Sequence, residues 1–165
     1  MSEKLLVCIL RHGEAEARPS ADDGERHLTE EGSAQIRQVL GFAKQQLGIG
    51  IDLIFSSPLA RARETARIAN RVLGIKDYSV SNSLEPEGEP GDVCEELLRP
   101  NPRKRLLLVS HQPLVSRLLS SLLGSPNLAM PTGCIACAEV DVLSQTSTLL
   151  FLVPPLVSKG HKERA

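Results

Sequence analysis

The chain has 165 residues, 41% of them hydrophobic and 24% charged, which fits a single soluble domain with a full hydrophobic core. A net charge of −1 and an aromatic content of 2% exclude a nucleic-acid binder that works through charge and base stacking. The N-terminal apolar run is too short for the core of a signal peptide, and the run over 149–157 is broken by Pro154 and Pro155. No membrane association is expected, and the expected location is cytoplasmic.

Residues 4–10 form a near-continuous apolar run, the pattern of a strand buried on both faces. The run stops at Arg11-His12-Gly13, where polar side chains would reach the rim of a sheet and Gly13 lets the backbone turn without a Cβ penalty. Residues 15–27, with Pro19 and Gly24, read as a surface loop. A first helix follows, with Thr29 as N-cap and Glu30 and Glu31 in its first turn. Ile36, Val39, Leu40, Ala43 and Leu47 give it one apolar stripe, and Gly48 and Gly50 end it.

Residues 51–56 read as a second strand. Ser57-Pro58 then has the form of an N-cap followed by proline at the first helical position. That helix would bury Ala62, Thr65, Ala66, Ala69 and Leu73 and leave Arg63, Glu64, Arg67 and Arg71 to solvent. Residues 76–101 are the least regular, with a short strand over 78–80 and a short helix over 92–98. A third buried strand over 106–110 ends at His111, and Gln112-Pro113 opens a helix over 114–123, closed by Gly124. Two late strands, 133–142 and 146–153, are joined by 143–145 as a hairpin. The expected domain spans 1–158, with a polar tail over 159–165 that frays.

Cys134 and Cys137 have C-x-x-C spacing, but residues three apart on a strand face opposite sides of the sheet. No second pair completes a zinc set, so Cys8, Cys94, Cys134 and Cys137 are expected to be reduced thiols, with no metal and no other cofactor.

Strands alternating with helices predict an α/β three-layer sandwich, a mostly parallel central sheet with helices on both faces. Ligands in such folds bind beyond the carboxyl ends of the strands. Three strands finish there with charged or titratable groups: Arg11-His12, then Arg61 in the first turn of the following helix, then His111. Two arginine forks and two imidazoles at one rim suit a doubly charged oxyanion. Neighbouring arginines favour the uncharged, nucleophilic form of histidine. His27 and His161 read as ordinary loop and tail residues.

These segments together resemble the histidine phosphatase (phosphoglycerate mutase-like) superfamily. The resemblance rests on Arg11-His12-Gly13, on Leu28-Thr29-Glu30-Glu31-Gly32 as an L-T-x-x-G segment, on Ser56-Ser57-Pro58-Leu59-Ala60-Arg61-Ala62 with Thr65-Ala66, and on Ser110-His111. It implies a metal-independent phosphatase with no large cap insertion, His12 as the phosphorylated nucleophile, and Arg11, Arg61 and His111 as the phosphate pocket. Gly13 and Arg18 would contribute to substrate binding. Ser110-His111-Gln112-Pro113-Leu114-Val115 and the short span over 76–105 are similar to the SixA-type phosphohistidine phosphatases. Ala15 and Arg18 depart from the mutase pattern of Ser or Thr followed by Asn. The implied substrate is a phosphorylated protein such as a histidine phosphotransfer domain, and the alternative is a small phosphoester. A third alternative is a phosphoprotein-binding module without catalysis, which the complete tetrad disfavours. Ester-cleaving relatives use a carboxylic acid on the leaving oxygen, and Glu85 is the candidate among Glu85, Glu87 and Glu89.

Overall fold

The structure, a computed structural model, describes residues 3–17, 22–99 and 101–155. The apolar runs become β1 (Lys4–Arg11), β2 (Leu53–Ser56), β3 (Asp77–Val80), β4 (Arg105–Ser110), β5 (Ile135–Asp141) and β6 (Thr146–Val153). They lie in one sheet in the order β3-β2-β4-β1-β5-β6. β3, β2, β4 and β1 run parallel, and β5 and β6 add an antiparallel edge. The helices are α1 (Glu30–Gln46), α2 (Ala60–Leu73), α3 (Pro90–Val93), which continues as a π-helical turn over Cys94–Leu98, and α4 (Leu114–Leu123).

The two-residue period of the strands feeds two separate cores. Val7, Ile9, Leu106, Leu108 and Ala136 face α3, its π-helical continuation and α4, where Val93, Leu97, Leu114 and Leu118 meet them. Leu10, Ile54, Leu107, Val109 and Ile135 face α1 and α2, which supply Ile36, Val39, Leu40, Ala62, Ala66 and Ala69. Each fully buried aliphatic side chain contributes roughly 1.5–3 kcal/mol. The alanines of α2 are small, which brings that helix close to the sheet and to α1. Thr29 caps α1 as its spacing predicts, its Oγ1 accepting from the Gly32 N–H at 2.9 Å.

The structure corrects several local expectations. Cys8 and Cys137 are joined as a disulfide, with Cα atoms 4.0 Å apart, because they sit directly opposite each other on antiparallel β1 and β5. Only Cys94 and Cys134 are free thiols. Cys134 and Cys137 do lie in opposite cores, as strand geometry requires. Leu47 is the C-cap of α1 and is exposed, and Leu73 is only half-buried. Ser57 is not a helix N-cap: α2 starts at Ala60, and no side chain caps it. Glu64 turns inward from the polar face of α2 and accepts hydrogen bonds from His27 Nδ1 and the Leu28 N–H. The polar tail over 159–165 lies outside the described residues. No helix among the described residues is long and apolar enough to cross a membrane.

Two glycines fix how α1 meets the turn after β1. A Cβ on Gly32 would fall 2.2 Å from the Glu14 carbonyl oxygen and 2.8 Å from its nitrogen. A Cβ on Gly13 would fall 2.9 Å from the Gly32 carbonyl oxygen and from Ile36 Cγ1. The Thr29 N–H donates to the Glu14 carbonyl at 3.0 Å, so the turn and the helix start are bonded as well as packed. Gly41, inside the same helix, has nothing within 4 Å of its would-be Cβ. Gly32→Ala is therefore expected to destabilise the protein by about 1–3 kcal/mol. Gly41→Ala should stabilise it by about 0.4–1 kcal/mol in the same urea titration.

Candidate active site

The parallel register of β1 and β4 pairs Arg11 with Ser110, and one further ladder bond, His12 N–H to the Ser110 carbonyl at 3.0 Å, carries the pairing beyond the strand. His12 and His111 thus leave neighbouring strand ends side by side, ring centroids 5.0 Å apart and tilted by 51°. Between β2 and β4 the same continuation, Ser57 N–H to the Val109 carbonyl at 3.0 Å, sets Ser57 beside His111. α2 follows at once and directs Arg61 inward, where it is 3% exposed. The structure brings together all four residues of the expected tetrad.

His12 Nδ1 lies 2.7 Å from the Gly13 carbonyl oxygen. A carbonyl only accepts, so Nδ1 carries the proton and Nε2 keeps its lone pair. Arg61 Nε stands 3.4 Å from that Nε2. The outer end of the same guanidinium is held by Asp23: Nη1 donates to its carbonyl at 2.7 Å and Nη2 to its carboxylate at 2.9 Å. The other oxygen of that carboxylate accepts from Arg26 Nε at 2.8 Å. This end-on grip leaves the Nε edge of Arg61 turned to His12. Thr65 ties the parts together, accepting from the Gly13 N–H at 3.1 Å and donating to the Arg61 carbonyl at 2.8 Å.

Arg11 donates through Nη1 to the Met130 carbonyl at 3.0 Å, and His111 Nε2 shares a 2.7 Å hydrogen bond with Ser57 Oγ. Arg11 Nε and His111 Nδ1 are buried without a partner among the described residues. Unpaired buried polar groups are costly and call for an explanation. Two of them on site residues, beside the Arg61 fork and the unprotonated His12 Nε2, suit an anion that would bond to them.

Burial pushes the His12 pKa down to about 4; the charges of Arg61, Arg11 and Arg26 add to this, and the Gly13 hydrogen bond opposes it. Burial, then His12 and Arg61, push His111 down to about 2. Both rings are neutral at pH 7. Burial also lowers Arg11, helped by Arg61. Burial would raise the Asp23 carboxyl, but the hydrogen bonds and charges of Arg61 and Arg26 outweigh it and hold it below its ordinary value. The arrangement can offer a neutral imidazole nitrogen to an electrophile while cations neutralise the charge around it.

Gly13 contributes close packing rather than a left-handed turn, since its φ is not positive. Glu85 follows the 3-10 turn Asn82–Leu84, whose Leu84 carbonyl accepts from Ser110 Oγ at 2.7 Å. Its half-exposed side chain makes no hydrogen bond or ion pair among the described residues. Glu89 pairs with Arg117, and Arg18 lies outside the described residues. Asp23, Ser57 as a partner of His111, and the Met130 carbonyl were not singled out from sequence, where they read as loop, cap and linker. Among the described residues no three His, Cys, Asp or Glu gather as a metal-holding group.

The model for the histidine phosphatase superfamily (branch 1) matches residues 7–85. A phosphohistidine phosphatase SixA homolog of Haemophilus influenzae is 33% identical over 130 residues, covering 73% of this chain and 79% of that protein. The structure of the protein histidine phosphatase SixA complexed with tungstate superposes with a TM-score of 0.83 at 30% identity, covering 92% of this chain and 97% of the other. The alpha-ribazole phosphatase from Shigella flexneri shares the fold at 18% identity, with a TM-score of 0.67 over 93% of this chain and all of that one.

Both histidines should titrate well below the ordinary value of about 6.5 when followed by NMR. Their folded pKa values are depressed, so the unfolded chain takes up protons that the folded one refuses. Stability should be full above about pH 6.5 and fall as the pH drops toward 4. A His12 resonance titrating near 6.5 would contradict the buried, arginine-flanked geometry.

Proposed function

The chain belongs to branch 1 of the histidine phosphatase superfamily, and from that premise we propose that it is a metal-independent phosphatase that removes phosphate from phosphohistidine on a signalling protein. The observation that carries this is the His12 Nδ1 bond to the Gly13 carbonyl, which leaves Nε2 unprotonated, its lone pair accepting only a long 3.4 Å bond from Arg61 Nε. In the first step His12 Nε2 attacks phosphorus, the phosphorus–nitrogen bond of the substrate breaks, and the departing imidazole keeps the electron pair and takes up a proton from solvent water at the open rim. In the second step water attacks the phosphorus on His12, inorganic phosphate leaves, and Nε2 recovers its lone pair. Arg11, Arg61 and His111 hold the phosphoryl oxygens in both steps, and Gly13 shapes the turn beneath them.

The similarity to SixA proteins supports phosphohistidine as the substrate, and so does the open rim. Between β3 and β4 the chain forms one 3-10 turn, α3 and the π-helical turn, and Val93, Leu97 and Leu98 are buried in the core. Among the described residues no cap insertion stands over the strand ends, so a side chain presented on a protein surface has access. Phosphohistidine has a good leaving group, so the reaction does not depend on Glu85. A small phosphoester would need such an acid, and Glu85 is the residue we assign to that role in the alternative reaction.

The test compares a phosphohistidine-bearing phosphotransfer domain with a panel of small phosphomonoesters. The wild type is expected to clear phosphohistidine quickly and esters poorly, with transient phosphate trapped on His12. His12→Ala should abolish turnover, and Arg61→Ala should lower kcat by about 100-fold or more. Glu85→Gln should leave phosphohistidine turnover intact. Fast ester cleavage that Glu85→Gln suppresses would replace this proposal with a metabolite phosphatase. Turnover that survives His12→Ala would overturn the nucleophile.

A further inference from the structure

α2 turns one arginine into the site and three away from it. Arg61 is buried, whereas Arg63, Arg67 and Arg71 are exposed at four-residue intervals and form a stripe on the outer face. At 1.5 Å per residue the stripe runs about 12 Å along the helix, starting beside the first turn that carries Arg61. At its site-proximal end a cleft of about 230 Å³ is floored by Pro58 and Ala60 and walled by Arg63 and Arg67.

Arg71 suits the negative end of the helix dipole in the last turn of α2, but local structure does not account for Arg63 and Arg67. The ion pairs of the described residues use Lys4, Arg26, His27, Arg61, Arg99, Arg103, Lys104, Arg105 and Arg117, and none of the three stripe arginines. Glu64, the acid within the stripe's own turn, is bonded to His27 and the Leu28 N–H. Glu25 is the cleft's other carboxylate. α2 has no acidic residue in its first turn, so Arg61 and Arg63 add positive charge where the helix dipole is already positive. Like charges at i,i+4 are unfavourable as well. A surface that breaks two local rules without an internal partner fits a partner outside the chain.

We propose that the Arg63–Arg67–Arg71 stripe and its cleft dock an acidic face of the phosphorylated partner protein, a helix bearing carboxylates at four-residue spacing beside its phosphohistidine. This rests on the phosphohistidine reading above and adds the surface that selects the protein. The stripe acts before chemistry: it raises the encounter rate and sets the approach so that the phosphoryl group meets His12 and Arg61.

The test uses the whole chain, a phosphohistidine-bearing phosphotransfer domain with an acidic face, and phosphoramidate as a small probe with no surface to dock. Arg63→Glu/Arg67→Glu/Arg71→Glu should lower kcat/KM on the domain about 10- to 100-fold at low ionic strength, chiefly through KM. The loss should shrink in high salt, where the charges are screened. Phosphoramidate hydrolysis and the melting temperature should not change. The Arg→Gln triple variant should give a smaller loss of the same kind, and Arg37→Glu on α1 should have no effect. Changing the domain's carboxylates to amides should reproduce the defect with the wild-type enzyme. Equal losses on both substrates, or full activity of the triple variants on the domain, would overturn the docking surface alone. A wild type that hydrolyses phosphoramidate but not the phosphorylated domain would overturn the substrate reading, and the docking surface with it.

Discussion

The backbone of Gly13 is where β1, α1 and α2 are joined, and the site depends on that junction. Its carbonyl accepts the His12 Nδ1 proton and so decides which ring nitrogen is left unprotonated. Its N–H donates to Thr65, which reaches it from α2 and also bonds the Arg61 carbonyl. Its missing Cβ lets the start of α1 close to within contact of the turn. A side chain at position 13 would have to push α1 away, and the carbonyl that orients His12 would move with the turn. The tautomer of His12, the proposed nucleophile, and the position of Arg61 are therefore set by one residue with no side chain of its own.

The electrostatics follow from burial more than from any single pair. Two guanidinium groups and two imidazoles share a space with little solvent, and the imidazoles stay neutral because charging either would add a third cation. Arg61 is the most buried cation, and a charge so placed is tolerated only when it is paired. Asp23 supplies the pairing from the outside, through the end of the fork, while its own side chain is largely exposed. That geometry separates two jobs that one carboxylate could easily confuse. It neutralises Arg61 without covering the Nε edge that faces His12.

The parts of this molecule that were legible in the sequence are those governed by short-range periodicity. Apolar runs marked the buried strands, the 3.6-residue stripe marked α1, and polar residues at strand ends marked Arg11, His12 and His111. The L-T-x-x-G segment was recognisable only by resemblance, because its reason is the contact of Gly32 with Glu14, which no local pattern reveals. Ser57 looked like an N-cap because Ser-Pro often is one; its hydroxyl serves His111, 54 residues away. The Asp23–Arg61 pair spans 38 residues and the Cys8–Cys137 pair 129. The C-x-x-C spacing of Cys134 and Cys137 carries no sign of the cross-strand partner Cys8. Such contacts depend on sheet order, and the order β4-β1-β5 is a property of the whole chain.

An uncapped pocket leaves substrate choice to the surface around it. In the proposed reaction the tetrad would recognise a phosphoryl group and little else, because its donors are guanidinium and imidazole groups gathered at one rim. Discrimination between one phosphoprotein and another must then come from side chains beyond the reach of the phosphate, and α2 is placed to provide them. Its inner face is fixed by Thr65, by the small residues against the sheet, and by Asp23 on Arg61. On its outer face Arg63, Arg67 and Arg71 are exposed and make no ion pair among the described residues, so they can change without disturbing the proposed chemistry. Under the proposed docking, one helix would separate a constrained catalytic side from a variable recognition side, and partner preference could shift while the pocket stays the same.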